Sequence, residues 1–290
     1  MIQPITSPII EPAPCRRRTD RGEWCKDLVQ MPFADINGQR IRFEDSGGDG
    51  PPVVFSHGFL MDREMFAPQL QALHPEFRVI TWDERGFGET EFDGQPFTYW
   101  DSARDCLGLL DHLGIDQAVL GGMSQGGFLS MRAALLAPAR VRALVLIDTQ
   151  SGTEDAEHLP AYRQMQQTWL TMGPIDELTR AISGLIIGDP VASEPWIAKW
   201  RELPREAMNE PTNTLFERED LTDRVGEITC PAIIFHGTED MSIPADKAHE
   251  LSELLPGCTG VVMVQGAAHA SNMTHPEQVN GPLLQFLRSL

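Results

Sequence analysis

The first residue whose setting suggests covalent chemistry is a serine between glycines. Ser124 lies in the stretch GGMSQGG, in which Gly122 to Gly126 fit the pattern G-x-S-x-G. An apolar, strand-like run precedes it and a helix-like pattern follows it, which is the context that this motif requires. At such a sharp turn the serine backbone is strained, and small residues are needed on both sides because the chain folds back on itself. The pattern favours a nucleophile over the alternative, an ordinary hydroxyl in a glycine-rich loop.

A serine hydroxyl needs a histidine base, and that histidine needs an acid that fixes its tautomer. His269 lies in QGAAHASN, after the last strand-like run and before the last helix-like pattern, where a loop can reach the serine. We therefore expect His269 to be the base. We expect His57 and His236 to be structural, and His275 to belong to the start of the final helix.

Two aspartates are candidates for the acid, since both follow a strand-like run. Loops at the carboxyl edge of a parallel sheet are where ligands bind, so position alone allows both. Asp240 has the longer approach loop, Gly237 to Asp240, and is preferred. Asp148, which follows ALVLI, remains the alternative acid.

The stretch SHGFL is expected to complete an oxyanion hole. The backbone N–H of Phe59 would join that of Gln125 to bind the negative oxygen that develops in acyl transfer. The helix that follows Ser124 also directs its positive end at the site. The alternative is that His57 and Gly58 simply form a turn.

These candidates lie among short β-rich runs that alternate with helix-like stretches, which predicts a doubly wound α/β sheet. A hairpin signal at Asn37-Gly38 predicts an antiparallel start. The other strand-like runs, apolar on both faces as in buried parallel strands, are at 51–58, 77–83, 117–122, 141–148, 230–237 and 259–266. The helix-like stretches are at 62–73, 98–113, 125–137, 244–255 and 275–290.

This alternation stops between Ile147 and Cys230, where helix-like patterns carry three of the six tryptophans. Such an insertion can either dock on the core or line an apolar pocket. Residues in it recur at helical spacing, namely Tyr162, Met165, Trp169 and Met172, and separately Trp196 and Trp200. Of these we expect Met165, Trp169 and Trp196, together with Leu60 of SHGFL, to contact a substrate.

Composition narrows the possible functions. The 290 residues, 41% of them apolar, suit one large α/β domain with an insertion. The formal net charge of -19, from 42 acidic against 23 basic residues, disfavours binding to nucleic acid or to an anionic membrane surface. No apolar run approaches the roughly 20 residues that span a bilayer.

The termini and cysteines add two expectations. Residues 1–30, rich in proline, are expected to form an irregular extension, and they carry no secretory signal pattern. Five widely spread cysteines without metal-ligand spacing predict free thiols, no metal site and a cytoplasmic location. These are Cys15, Cys25, Cys106, Cys230 and Cys258.

Five stretches in chain order resemble the signatures of the α/β-hydrolase superfamily, in its serine esterase and lactonase-like branch: SHGF, WDERGFGET, GGMSQGG, HGTED and GAAHASN. The resemblance implies an eight-stranded, mostly parallel sheet with a core at 31–149 and 227–290. It also implies a helical lid at 150–226, inserted after the sixth strand. The implied site consists of Ser124 as nucleophile, Asp240 as acid, His269 as base, and the N–H groups of Phe59 and Gln125.

The chain differs from some of its relatives at three points that bear on its chemistry. The oxyanion loop is HGFL and not HGGG, and Gln125 replaces a methionine that is common in the family. Haloalkane dehalogenases and epoxide hydrolases resemble the chain in layout but have an aspartate where Ser124 stands, which argues against both chemistries.

The predicted function is hydrolysis of an ester or lactone of an apolar or aromatic small molecule through an acyl-enzyme, with no cofactor and no metal. Three alternatives stay open. The same triad could cleave a carbon–carbon bond of a diketone-like substrate, or form peroxyacids without a cofactor. The third is a ligand receptor without catalysis. A homo-oligomer also stays open.

Overall fold

The structure, a computed structural model, describes residues 32–290, so the expectation for residues 1–30 lies outside the described residues. Over the described part the chain forms an eight-stranded sheet in the order β1-β2-β4-β3-β5-β6-β7-β8. The strands are β1 (Phe33–Ile36), β2 (Gln39–Asp45), β3 (Pro52–Ser56), β4 (Arg78–Trp82), β5 (Ala118–Met123), β6 (Val141–Ile147), β7 (Ala232–Gly237) and β8 (Cys258–Val264).

Pairing in the sheet follows the sequence patterns. β1 and β2 form an antiparallel hairpin, and β2 pairs antiparallel with β4. The hairpin turn has positive φ at Asn37 (48°) and Gly38 (81°), as two-residue turns of this kind require. All further pairs are parallel. The predicted fold class, a mostly parallel eight-stranded α/β sheet, is confirmed.

Helices cover both faces of the sheet, and alternate strand residues enter two different apolar clusters. In β3, Val54 belongs to one cluster, whereas Val53 and Phe55 belong to the other. The helices are α1 (Ala67–Leu73), α2 (Tyr99–His112), α3 (Gln125–Leu136), α4 (Leu159–Met172), α5 (Asp176–Ile186), α6 (Pro190–Arg201), α7 (Asn209–Phe216), α8 (Ala245–Leu254), α9 (Ser271–Thr274) and α10 (Pro276–Arg288).

Two helix boundaries differ from expectation for local reasons. The pattern that starts at Asp62 begins as a 3-10 turn, Arg63–Phe66, which the Asp62 side chain caps by accepting the Glu64 N–H. The last helix is preceded by the short α9, which was not predicted. The chain leaves helical geometry at His275 (φ -129°, ψ 51°), as a residue before proline commonly does.

Between β6 and β7 the chain forms α4 to α7, which we call the helical insertion. It is tied to the core by Trp200, whose indole Nε1–H donates to the Leu60 carbonyl oxygen at 2.6 Å. Lys199 adds ion pairs to Asp62 (2.6 Å) and Glu64 (2.8 Å). Together these contacts connect α6 to the loop after β3.

Within residues 32–290, no helix is long and apolar enough to cross a membrane. In the same part of the chain Cys106, Cys230 and Cys258 are free thiols.

Candidate active site

Ser124 occupies the turn between β5 and α3 in a strained conformation, with φ 52° and ψ -114°. Its N–H donates to the Ile147 carbonyl oxygen at 2.9 Å. A Cβ atom on Gly122 would lie under 3.0 Å from the Gly126 backbone, and one on Gly126 equally close to the Ser56 carbonyl. Both glycines are therefore required by backbone packing, as the sequence pattern predicts.

His269, in the loop after β8, pairs with Asp240, in the loop after β7. The Nδ1 of His269 lies 2.7 Å from Oδ2 of Asp240. The other carboxylate oxygen accepts the N–H groups of Ser242 (2.8 Å) and Ile243 (3.0 Å), so the carboxylate is held from both sides. The structure brings together the base and the preferred acid of the sequence analysis.

Electrostatics favour the charged form of this pair. Burial by itself would lower the pKa of His269, but the charge and hydrogen bond of Asp240 outweigh it, and the pKa of His269 lies above its usual value. Burial opposes the charge on Asp240 too. The His269 charge, its hydrogen bond and the Ile243 N–H nevertheless hold the pKa of Asp240 below its ordinary value. A proton taken up by His269 is thus stabilised.

The alternative acid, Asp148, follows β6 and is fully buried. Its two carboxylate oxygens accept backbone N–H groups, from Gly237 at 2.7 Å and from Ser271 at 3.0 Å. Burial and the neighbouring charge of Asp240 raise the pKa of Asp148 to about 7. The histidine–carboxylate hydrogen bond of this site is made by Asp240, and Asp148 binds the loops around it.

The other histidines have structural partners. The Nε2 of His57 accepts the Glu84 N–H at 3.0 Å, and its Nδ1 lies 2.8 Å from the Gly58 carbonyl oxygen. This ring therefore fixes the loop after β3. The Nε2 of His236 lies 2.9 Å from the Ile243 carbonyl oxygen. His275 stands immediately before α10.

One cluster has ligand types suited to a metal. Ligand atoms of Asp148, His236 and Asp240 all lie within 4.8 Å of one another. The oxygens of both carboxylates already accept hydrogen bonds from the protein, and His236 binds a carbonyl through Nε2. These atoms serve the hydrogen-bond network that surrounds His269.

The two predicted oxyanion donors lie at element ends. Phe59 is in the loop after β3, and Gln125 is the first residue of α3. Within residues 32–290, neither backbone N–H has an acceptor. The Gln125 side chain turns inward: its Oε1 accepts the Tyr99 hydroxyl and its Nε2 donates to Glu84 Oε1, both at 3.2 Å.

Sequence reasoning missed Tyr99 and Glu84, which hold the Gln125 side chain. Glu84 is fully buried, and burial raises its pKa well above the usual range. The only sequence signal for it is its place in WDERGFGET.

Comparison with known proteins identifies the family. A family model described as alpha/beta hydrolase fold matches residues 51–173. A non-heme chloroperoxidase of Streptomyces lividans is 30% identical over 276 residues, covering 87% of this chain and 98% of that protein. This chain belongs to the α/β-hydrolase fold family. The resemblance stated from five short stretches is confirmed.

Solved structures agree with this assignment. A thermophilic esterase from Thermogutta terrifontis, with malate bound, is similar to this α/β-hydrolase with a TM-score of 0.81 and 28% identity. The match covers 90% of this chain and 99% of the esterase. An enol-lactonase from Burkholderia xenovorans LB400 has a TM-score of 0.80 and 25% identity, with 89% and 100% covered.

A cavity in this α/β-hydrolase lies between the sheet edge and the helical insertion, and both Ser124 and His269 line it. Its wall is mainly apolar. The predicted contacts Leu60, Met165 and Trp169 line it, together with Phe59. Further lining residues that the sequence did not single out are Ile182, Leu185, Met208, Thr212, Leu215 and Phe216.

Trp196 is a correction, because it is not among the residues that line this cavity. It packs instead in the apolar cluster that also contains Val53 and Phe55 of β3, with the Lys199 ammonium 4.5 Å from the centre of its ring. Trp200, one turn further along α6, anchors the same helix to Leu60. The tryptophans of α6 therefore dock the insertion on the core, whereas Trp169 of α4 lines the apolar pocket.

Proposed function

We propose that this α/β-hydrolase is a carboxylic ester hydrolase that acts on an ester or lactone of an apolar or aromatic small molecule. The observation that carries the proposal is the 2.7 Å contact of His269 with Asp240 at a cavity that Ser124 also lines. This combination supplies a nucleophile, a base and an orienting acid in one apolar space.

In the proposed mechanism, the Nε2 atom of His269 takes the proton of the Ser124 hydroxyl while the oxygen attacks the substrate carbonyl carbon. Asp240 holds the Nδ1–H of the imidazole and stabilises the imidazolium that forms. The N–H groups of Phe59 and Gln125 bind the oxyanion, and one such donor contributes about 2.7–4 kcal/mol to transition-state stabilisation. His269 then protonates the leaving oxygen, and water attacks the acyl-enzyme with His269 again as base.

The cavity supports the choice of substrate. Apolar side chains from two sources, the loop after β3 and the helical insertion, favour an apolar acyl or alcohol group. The esterase and the enol-lactonase to which this chain is similar act, by their names, on bonds of this kind. An ester or lactone carbonyl between Ser124 and the two N–H groups fits both observations.

A panel of aryl esters, lactones and diketones, assayed on wild type and Ser124→Ala, tests the proposal. We expect turnover of an aryl ester or a lactone by wild type, with loss of several orders of magnitude in the variant. Turnover of a diketone alone would instead assign carbon–carbon hydrolysis. Equal resistance of wild type and Ser124→Ala to a fluorophosphonate label would contradict the nucleophile and favour a receptor.

The similarity to a non-heme chloroperoxidase supports a second candidate, peroxyacid formation. In that reaction hydrogen peroxide replaces water as the attacking group on the same acyl-enzyme. Incubation with acetate, hydrogen peroxide and bromide, followed through halogenation of a dye, distinguishes it from hydrolysis. The same Ser124→Ala variant must abolish the signal.

A further inference from the structure

Asp148 is a buried carboxylate that the mechanism above does not use, although it touches both loops that carry the proposed acid and base. Its Oδ1 accepts the N–H of Gly237, where β7 ends and the chain turns towards Asp240. Its Oδ2 accepts the N–H of Ser271, at the start of α9 directly after the His269 loop. One side chain therefore bonds the origin of the acid loop to the exit of the base loop.

The backbone at Asp148 is itself specified by the fold. Its φ of 45° lies in the left-handed region, which aspartate and asparagine tolerate better than most residues and glycine adopts freely. Its N–H donates to the Phe235 carbonyl oxygen of β7 at 2.9 Å. Asp148 is thus held against β7 by its backbone while its side chain spans to the next loop.

We propose that Asp148 is a positioning residue, whose carboxylate sets the separation of the Asp240 and His269 loops and whose negative charge stabilises the protonated imidazole. The proposal rests on the function proposed above, since it assigns a role within the same site. It also explains why both aspartates satisfied the sequence criteria for the acid, since both lie at the carboxyl ends of neighbouring strands. Asp240 is bonded to the base His269 itself, and Asp148 to the backbone directly after the His269 loop.

The charges around Asp148 fix the sign of the expected effect. His236 belongs to β7, Asp240 to the loop after β7, and His269 to the loop after β8. Glu154, in the loop between β6 and α4, also acts on His269. The charged form of Asp148 raises the pKa of His269. Because the pKa of Asp148 is itself about 7, this charge is present mainly above about pH 7. Neutralising Asp148 must therefore lower the pKa of His269 and move the rising limb of the kcat/KM profile to lower pH.

Asp148→Asn is the direct test, because asparagine keeps the volume and tolerates the positive φ. Its amide offers one acceptor oxygen where two N–H groups need one each. With p-nitrophenyl acetate as probe, we expect kcat to fall by about 10²-fold, the scale of a misplacement of about 1 Å, while KM changes much less. A kcat and a pH midpoint equal to those of wild type would overturn the proposal.

A matched control is Asp105→Asn, which removes another fully buried carboxylate. Asp105 binds Arg85 at 2.6 Å, and neither residue lines the cavity. We expect this variant to lose thermal stability without moving the pH midpoint. If Asp148→Asn does not fold, Asp148→Gly serves in its place, since glycine adopts φ 45° without strain. The glycine variant must show the same shift to lower pH, and a wild-type midpoint would again overturn the proposal.

A measurement without turnover separates this proposal from the proposed function. The His269 pKa is followed by NMR of ¹³Cε1-labelled histidines, with the signal assigned by His269→Gln. A lower pKa in Asp148→Asn than in wild type supports the electrostatic role even if no ester is cleaved. An unchanged pKa contradicts the role, whatever substrate the enzyme uses.

Discussion

Ser124 holds a left-handed backbone conformation that a serine adopts only when its surroundings enforce it, at a cost of about 1–3 kcal/mol. Its N–H bond to Ile147 and its carbonyl, which accepts from Gly127 and Phe128, fix the turn. Strain at the nucleophile is thus maintained by the close approach of β5 and α3, and depends on the two glycines that permit it.

A methyl group at Gly126 tests this dependence. In Gly126→Ala the new Cβ would lie under 3.0 Å from the Ser56 carbonyl oxygen, which is rigid backbone. We expect a loss of about 1–3 kcal/mol in the free energy of unfolding and a large loss of kcat. Gly184→Ala in α5 is the matched control, because no heavy atom lies within 4 Å of its added Cβ. The control should be neutral or more stable by urea unfolding, and equal stability of both variants would contradict the packing argument.

The hydrogen bond of Asp240 to His269 predicts a change in both rate and pH dependence. Asp240→Asn should lower kcat by about 10⁴-fold, because the imidazole loses the partner that fixes its tautomer. Since the Asp240 charge raises the pKa of His269, the midpoint of the kcat/KM profile should also move to lower pH. Glu239→Gln, an exposed neighbour in the same loop, is the control. Equal kcat values for the two variants would contradict the assignment of Asp240.

At the scale of elements, the strands were predictable because a strand that is buried on both faces has a continuous run of apolar residues in its sequence. VRALVLID predicted β6 to within one residue. The choice between Asp148 and Asp240 depended on loop geometry, since both follow parallel strands. The same limit applies to Trp169 and Trp196: helical spacing groups residues on one face, but the direction of that face depends on how the helices of the insertion pack.

The contact between α6 and the loop after β3 couples the helical insertion to the oxyanion loop. Trp200 donates to the carbonyl of Leu60, next to Phe59, at 2.6 Å. Trp200→Phe leaves this carbonyl without its donor, so we expect a loss of about 1–3 kcal/mol in stability together with a lower kcat. Trp100→Phe is the matched control, because its indole donates to Glu219 at an exposed site. A thermal shift and kcat assay should separate the two, and equal effects would contradict the coupling.

On the scale of the whole molecule, the proposed catalytic groups are distant in sequence but follow β5, β7 and β8. In the sheet β5 and β7 flank β6, and β8 lies next to β7. Parallel pairing places the carboxyl ends of these strands at one edge. Asp148 follows β6, the strand between β5 and β7, and this explains why it contacts the loops of its neighbours. The helical insertion closes the space above that edge with apolar side chains.

The net charge of -19 makes a prediction that no single residue makes. The field of an acidic protein lowers the local concentration of anionic substrates, and added salt screens it within about 10 Å at 0.1 M. An aryl ester with a carboxylate should therefore show a kcat/KM that rises by roughly two- to tenfold between low and physiological ionic strength. A neutral ester of the same shape is the control and should show no rise. An identical salt response of both esters would mean that the field of the whole chain does not act at this site.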